Sequence, residues 1–341
     1  MNPIIVKGKR NEALVYAGAI ERSCEDQILT YLNHPLFEDT TVRIMPDAHP
    51  GAGTIVGFTA TMNSYAAPSL IGGDIGCGVS AYNIGAGSLP FDKLDRYIRA
   101  HIPFGVAVRN EAYPALEAVY DAMPARGELP FRDFKRGIRK LTEARGLFLP
   151  RILAGIGTLG GGNHFIELDR DEERNRWLVI HSGSRALGLV IARHHEREAL
   201  RASPPDSSIK YLAGPDAQSY YADVRIAQVY AALNRSLMAR LIIEGFFKED
   251  LSRLEYIETT HNYLDFKRGM VRKGAISAEA GEPAVIPFSM AEGGIIGIGA
   301  GNPAWNYSAP HGAGRKLTRS QAKGLSMDEY RKRTRGIWSS T

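Results

Sequence analysis

The stretch 164–181 reads H-F-I-E-L, then a charged segment through Arg176, then W-L-V-I-H. Two short apolar runs rich in β-formers, joined by a polar connection, predict strands over 164–168 and 177–181, with His164 and His181 near their opposite ends. Further runs of this kind fall at 41–45, 54–62, 79–84, 269–277 and 284–288. Helical spacing of apolar residues covers 21–34, 91–101, 114–123, 131–145, 185–202 and, most extensively, 217–247, where Ala227, Val229, Tyr230, Leu233, Leu237, Leu241 and Ile242 follow i, i+3, i+4 intervals. Strands and helices do not alternate in a repeating βαβ order. The expected class is therefore α+β, with mixed sheets surrounded by helices.

The chain has 341 residues, 44% hydrophobic and 23% charged, which excludes disordered and fibrous classes. It shows no repeat, linker or low-complexity tract, so residues 1–341 are read as one domain. No apolar run approaches the roughly 18 residues that a membrane span requires. The N-terminal M-N-P-I-I-V-K places its charge after the apolar stretch, unlike a signal peptide. Two cysteines, Cys24 and Cys77, give no disulfide framework. A cytoplasmic location is expected.

Formal charge is +5, a mild excess that matters through its placement. Arg132, Lys135, Arg136, Arg139, Lys140 and Arg145 form one basic cluster. Arg315, Lys316, Arg319, Lys323, Arg331, Lys332, Arg333 and Arg335 form another. Both suit a polyanion such as nucleic acid.

The 36 glycines concentrate at 51–57, 72–88, 155–162, 293–301 and 312–314, beside His, Asp, Cys or Asn. Such segments allow tight turns and close approach to a ligand. Five of nine histidines lie in these or in strand-end settings: His49, His164, His181, His261 and His311. A surface role is expected for His34, His101, His194 and His195. In G-G-D-I-G-C-G, Asp74 and Cys77 can converge on a cation, and His164, His181 and His261 complete a possible ligand set for one or two divalent ions. Zinc, manganese and iron all remain compatible with these ligand types. The runs 155–163 and 293–302 offer backbone N–H groups to phosphate oxygens, with Arg185 and Arg315 as bidentate partners. His311, followed by Gly-Ala-Gly-Arg, is approachable by a phosphoryl donor and can serve as a nucleophile.

Taken together, M-P-D-A-H-P-G-A-G (45–53), G-G-D-I-G-C-G (72–78), G-T-L-G-G-G-N-H-F-I-E (157–167), H-S-G-S-R (181–185), H-N-Y (261–263), V-R-K-G-A-I (271–276), P-F-S-M (287–290) and H-G-A-G-R (311–315) resemble the RtcB family of RNA-splicing ligases. The resemblance implies an RtcB-type α+β domain with a central metal and nucleotide cleft, two Mn2+ ions (with Zn2+ as another species the site can bind) and GTP. It implies Asp74, Cys77, His164, His181 and His261 as metal ligands, with Cys77 shared, and His311 as the residue that takes GMP. Asn163, His164, Phe165, Ile166, Glu167, His261, Asn262, Pro287, Phe288, Ser289, Met290, His311, Gly312, Ala313 and Gly314 would surround the nucleotide. The implied reaction joins RNA ends bearing a 2′,3′-cyclic phosphate or 3′-phosphate to 5′-hydroxyl ends, in tRNA splicing or RNA repair, with an archease-type activator as a further partner.

The sequence departs from the family pattern at Ala52, where lysine is usual, at Pro303-Ala304, where an acidic pair is common, and at Gly294, where a serine is common. It stops at Thr341, without the family's C-terminal extension and its terminal guanine-reading lysine. The alternatives are a relative that guanylylates 3′-phosphate ends without sealing them, a metal-dependent cyclic-phosphate phosphoesterase, and an RNA-end-binding protein.

Overall fold

A computed structural model describes residues 2–51, 53–123, 129–314 and 326–340. Ala52, Arg315, Lys316, Arg319 and Lys323 lie outside the described residues. The sheet that positions the site has four antiparallel strands in the order Tyr256–Thr260, Gly78–Asn83, Arg176–Ser182 and Phe165–Arg170. Its inner strand Arg176–Ser182 reads as a near-continuous apolar run, W-L-V-I, because both of its faces are covered. Tyr82, Leu178 and Ile180 pack against Met238, Ala239 and Ile242 of the long helix. On the opposite face Val79, Ala81, Val179 and Ile257 meet Val285 of a hairpin, Pro283–Ser289 with Gly293–Ile298.

A second sheet of six strands runs Ile4–Lys7, Glu12–Val15, Val42–His49, Val56–Thr61, Met270–Lys273 and Asn262–Asp265. It is mixed: Glu12–Val15 and Val42–His49 are parallel, the other neighbours antiparallel. The chain passes from one sheet to the other at His261, between Tyr256–Thr260 and Asn262–Asp265. The run expected as one strand over 269–277 breaks at Gly274; its second part, Ala275–Ser277, pairs with Ser308–Pro310.

The helix Gly214–Ile242 has 29 residues. Its C-terminal half is buried almost all round, as expected of a helix enclosed by sheet and helices rather than lying on a surface. The α-helix was expected to reach 247, but the last turn widens into a π-helical segment, Ile243–Phe247. Two other expectations are corrected. The 293–302 run is not one glycine loop: 293–298 is a strand of a two-stranded hairpin, and beyond it Gly299 N and Gly301 N donate to the carbonyls of Glu282 and Ala278. His195 is not at the surface: it is buried, and its Nε2 lies 2.9 Å from Asp223 Oδ2. Asp223 also accepts a 2.7 Å bond from Arg145, which removes that arginine from the exposed basic stripe. A half-buried carboxylate shared by an arginine and a histidine satisfies its lone pairs and ties three helical segments together.

Candidate active site

The antiparallel order of the four-stranded sheet sends four sequence-distant residues to one edge. Cys77 immediately precedes Gly78–Asn83, His164 precedes Phe165–Arg170, His181 is the penultimate residue of Arg176–Ser182, and His261 follows Tyr256–Thr260. Register fixes their heights, since Val79 and Phe165 both face His181 and Thr260 faces Gly78. Cys77 Sγ lies 3.2 Å from His181 Nε2 and 3.7 Å from His164 Nε2. His181 Nε2 lies 3.3 Å from His261 Nε2, and His164 Nε2 lies 3.2 Å from Asp74 Oδ2. All five residues singled out in the sequence thus meet. They form two groups, Cys77/His181/His261 and Asp74/Cys77/His164, each with its candidate ligand atoms within 4.8 Å of one another.

The donor chemistry of this cluster fits a cation. His164 Nδ1 bonds the Leu159 carbonyl at 3.0 Å and His181 Nδ1 bonds the Asn163 carbonyl at 2.9 Å. A carbonyl only accepts, so each Nδ1 carries a hydrogen and each Nε2 is the nitrogen turned into the cluster. Burial and then the neighbouring His164 hold His181 down to about 4. Burial, then His311 and His181, push His261 well below the usual imidazole range. Burial, then the Asp74 charge, raises the Cys77 thiol far above the ordinary range. Burial would raise Asp74 too, but its hydrogen bond and charge interaction with His164 outweigh that and hold it low. Neutral imidazoles at His181 and His261, a carboxylate and a thiol that gives up its proton to a cation are what a divalent-ion site needs.

The turns bearing these residues are fastened from behind by a polar pair on the long helix. Asn234 Oδ1 accepts from the backbone N–H groups of Gly157 and Thr158 at 2.8 and 2.9 Å, and its Nδ2 donates to Ser182 Oγ at 3.0 Å. Arg235 Nη1 donates to the carbonyls of Gly76 at 2.9 Å and Ser182 at 2.8 Å, while Nη2 pairs with Glu258. Neither residue was singled out in the sequence, although a polar triplet inside an apolar helix, L-N-R-S-L at 233–237, was the available signal. Gly76 has φ +73°, and a Cβ there would sit 2.9 Å from Ala231 Cβ, so only glycine brings the turn down onto the helix. A Cβ on Gly183 would overlap the Asp74 carboxylate.

His311 stands beside this cluster, its ring centroid 4.8 Å from that of His261. Its Nδ1 lies 2.7 Å from Asp47 Oδ2, and the Asp47 side chain is only 2% exposed. The carboxylate accepts from Nδ1, so Nδ1 carries a hydrogen and a lone pair of the ring can lie only on Nε2. Asp47 falls in a quoted motif but was given no role from sequence. Cβ atoms placed on Gly314 and Gly312 would approach Asp47 Cα at 3.3 Å and the Pro287 carbonyl at 3.4 Å. The segment His311, Gly312, Ala313 and Gly314 therefore lies between Asp47 and the Pro287–Met290 stretch, where Phe288, Ser289 and Met290 are exposed. A cavity of about 460 Å3 lined by His49, Gly72, Gly73, Glu196 and Lys273 opens beside the Asp74 turn.

A model of the RtcB family, described as tRNA-splicing ligase RtcB, matches residues 27–337. The chain belongs to the RtcB family. It is similar to the RNA-splicing ligase RtcB of Escherichia coli K12, 29% identical over 333 residues that cover 90% of this chain and 81% of the relative. The tRNA-splicing ligase RtcB of Aeropyrum pernix is 28% identical, covering 82% and 74% of the two chains. The RNA-splicing ligase RtcB of Mycobacterium tuberculosis H37Rv is 28% identical, covering 82% and 81%.

Within this RtcB chain the remaining expected positions fall in different settings. The Phe165 ring meets that of His181 at 5.1 Å between centroids, tilted by 55°, whereas the Ile166 side chain packs into the core on the helix side. Asn163 meets His181 through its carbonyl. Asn262 is buried, its Oδ1 accepting from Gly274 N at 3.1 Å and its Nδ2 reaching the Asp74 carbonyl at 3.5 Å. Arg185 adopts φ 56° and gives Nε to Thr158 Oγ1 at 3.1 Å and Nη2 to the Gly105 carbonyl at 2.7 Å, so part of its fork is committed to protein. Arg132, Lys135, Arg136, Arg139 and Lys140 are exposed along one helix, Arg331, Lys332 and Arg333 along another, and Arg335 just beyond its end. Among the departures, Gly294 sits in the hairpin ladder, and Ala304 O accepts from Tyr16 and Arg43.

Glu167 is pushed up to about 8, first by burial and then by Asp169. Folding therefore favours its protonated form. That contribution is fully present below the usual pKa near 4.5 and is lost as pH rises through about 8. Glu167→Gln removes the titration and is expected to gain stability over wild type progressively from pH 5 to pH 9. The gain should be on the order of a few kcal/mol at the alkaline end, at about 1.4 kcal/mol per pKa unit. Urea denaturation at both pH values measures it; a constant difference would refute it.

Proposed function

We propose that this protein is a manganese- and GTP-dependent RNA ligase that joins 2′,3′-cyclic phosphate or 3′-phosphate ends to 5′-hydroxyl ends through a guanylylated His311. The observation that carries the reading is the His311–Asp47 pair, 2.7 Å long, set beside a buried Asp/Cys/His cluster. Membership of the RtcB family supports RNA ligation as the activity. Among the described residues no helix is long and apolar enough to cross a membrane.

Asp74, Cys77, His164, His181 and His261 would hold the metal. Divalent cations bound there would offset charge on the transferring phosphoryl group and orient the triphosphate. His311 Nε2 attacks the α-phosphorus of GTP and pyrophosphate leaves, while Asp47 keeps the imidazole hydrogen on Nδ1. The GMP then passes to an RNA 3′-phosphate, regenerating neutral His311, and the 5′-hydroxyl of the second end attacks the activated phosphate and expels GMP. A cyclic phosphate is first opened by water. The segments around Asn163 and Glu167, Asn262, Pro287 and Met290, and Gly312 and Gly314 would bound the nucleotide. The exposed basic helices would steer the RNA, a term that weakens steeply with salt.

The test is incubation with manganese and GTP labelled at the α-phosphate. Wild type is expected to acquire an acid-labile, alkali-stable label. His311→Ala should keep its metal and take none, and Cys77→Ala should bind manganese at least about 100-fold more weakly, beyond the 10–100-fold that changes around the ligands produce. A label retained by His311→Ala would overturn the assignment. Labelled wild type that never yields joined RNA would favour end-guanylylation without sealing.

A further inference from the structure

Between a helix ending at His101 and the chain that leads to His164 runs a short turn, Pro103-Phe104-Gly105-Val106-Ala107, that takes no part in the reaction above. Surface turns are ordinarily built from glycine and small polar residues. This one carries Phe104, 56% exposed, and Val106, 95% exposed.

The turn is tied to the site at several points. Leu159 N donates to the Pro103 carbonyl at 2.9 Å, and the Leu159 carbonyl in turn receives His164 Nδ1 at 3.0 Å. Gly105 N donates to Gly160 O at 2.8 Å, Phe104 bridges Gly160, and Arg185 Nη2 donates to the Gly105 carbonyl. Ala107 N closes the turn on Phe104 O at 3.2 Å. Two hydrogen bonds therefore separate the residue preceding Phe104 from an imidazole of the Asp74/Cys77/His164 group. The backbone that bears the ring is held beside Gly160 and Gly161, and the ring itself is exposed and makes no ring contact among the described residues. An aromatic ring open to water on an anchored turn next to a polar cleft suits a flat apolar ligand bearing a charged tail.

We propose that Phe104 is a stacking platform for an unpaired nucleobase at an RNA end whose phosphate or hydroxyl enters the cleft. This rests on the reading of the protein as an RNA ligase. An RNA terminus must leave its own stack to bring the end atoms to a buried site, and the face its base loses is replaced by the Phe104 ring. Stacking tolerates any base because every base has a π face, so joining gains a grip on the end without sequence preference.

The test is a binding cycle, read by fluorescence anisotropy without GTP. Wild type and Phe104→Ala are each titrated with short single-stranded RNAs carrying either a 3′-phosphate or a 5′-hydroxyl end, with the terminal nucleotide intact or abasic. Wild type should bind one of the two abasic ends about tenfold more weakly than the intact end, within the range a base–aromatic stack provides. Phe104→Ala should bind the intact end as weakly as wild type binds the abasic one and show no further abasic penalty. The strand that shows the coupling identifies the end seated there. Should Phe104→Ala not fold, Phe104→Trp must keep or enlarge the abasic penalty. An equal abasic penalty in both proteins, or none in wild type, overturns the proposal and leaves the turn as a docking point for a protein partner or a structural feature. Failure of wild type to take a GTP label would instead remove the ligase reading, and the binding cycle reports on the platform independently of it.

Discussion

Asp47→Asn is expected to slow formation of the His311–GMP adduct by about 10^3 to 10^4-fold while leaving metal content and fold unchanged. The size follows from the role of a carboxylate behind a nucleophilic or basic imidazole, where its amide replacement imposes the wrong tautomer. Asp47 Oδ2 now accepts from His311 Nδ1 at 2.7 Å. An asparagine that turns its amide N–H toward Nδ1 shifts the hydrogen to Nε2 and removes the lone pair that attacks phosphorus. Its shape is nearly that of aspartate, so the surrounding residues Gly314 and His49 need not move. Single-turnover labelling with GTP, alongside manganese content, separates the effect from a lost metal. An Asp47→Asn variant labelled at the wild-type rate would show that the carboxylate does not set the tautomer.

Arg235→Met is expected to destabilise the fold by about 3–5 kcal/mol, the cost of breaking a buried ion pair and stranding its partner. Arg235 is 1% exposed, and its guanidinium serves Glu258, Ser80 Oγ and the carbonyls of Gly76 and Ser182. Methionine fills similar volume and satisfies none of these groups. Because Gly76 and Ser182 adjoin Cys77 and His181, metal affinity should fall along with stability. Pairing the change with Glu258→Leu should recover part of the lost stability, since the stranded carboxylate is then gone, but should not restore the hold on the two carbonyls. Chemical denaturation of wild type and the two variants measures this. Equal stability of Arg235→Met and wild type would refute it.

Most helices were legible because an amphipathic 3.6-residue period survives wherever one face meets solvent. The stretches 91–101 and 185–202 coincide with Phe91–His101 and Arg185–Ala202. Several strands were not legible. Tyr256–Thr260 holds Glu258 in a strand whose apolar period is short, and Gly293–Ile298 looks like a glycine loop. Both become strands because a neighbour supplies their hydrogen bonds, which no local pattern encodes. His195 was misplaced for a similar reason. Its partner Asp223 lies on a different helix, and a histidine amid arginines and glutamates gives no sign that a carboxylate from elsewhere lets it be buried.

By itself the sequence determined which chemistry this chain carries: glycine-flanked Asp74 and Cys77, histidines at strand ends, and His311 in a small-residue run are properties of residue type and neighbours. Only the tertiary structure decided that these groups lie together. Cys77 and His261 are brought to one edge of a sheet by antiparallel register. The Nε2 atoms of His164 and His181 are aimed by the carbonyls of Leu159 and Asn163, and His311 Nδ1 is held by Asp47, 264 positions earlier in the chain. Coordination and nucleophilicity depend on distances of a few ångströms and on which nitrogen holds a hydrogen, and both are fixed by contacts between residues that lie far apart along the chain.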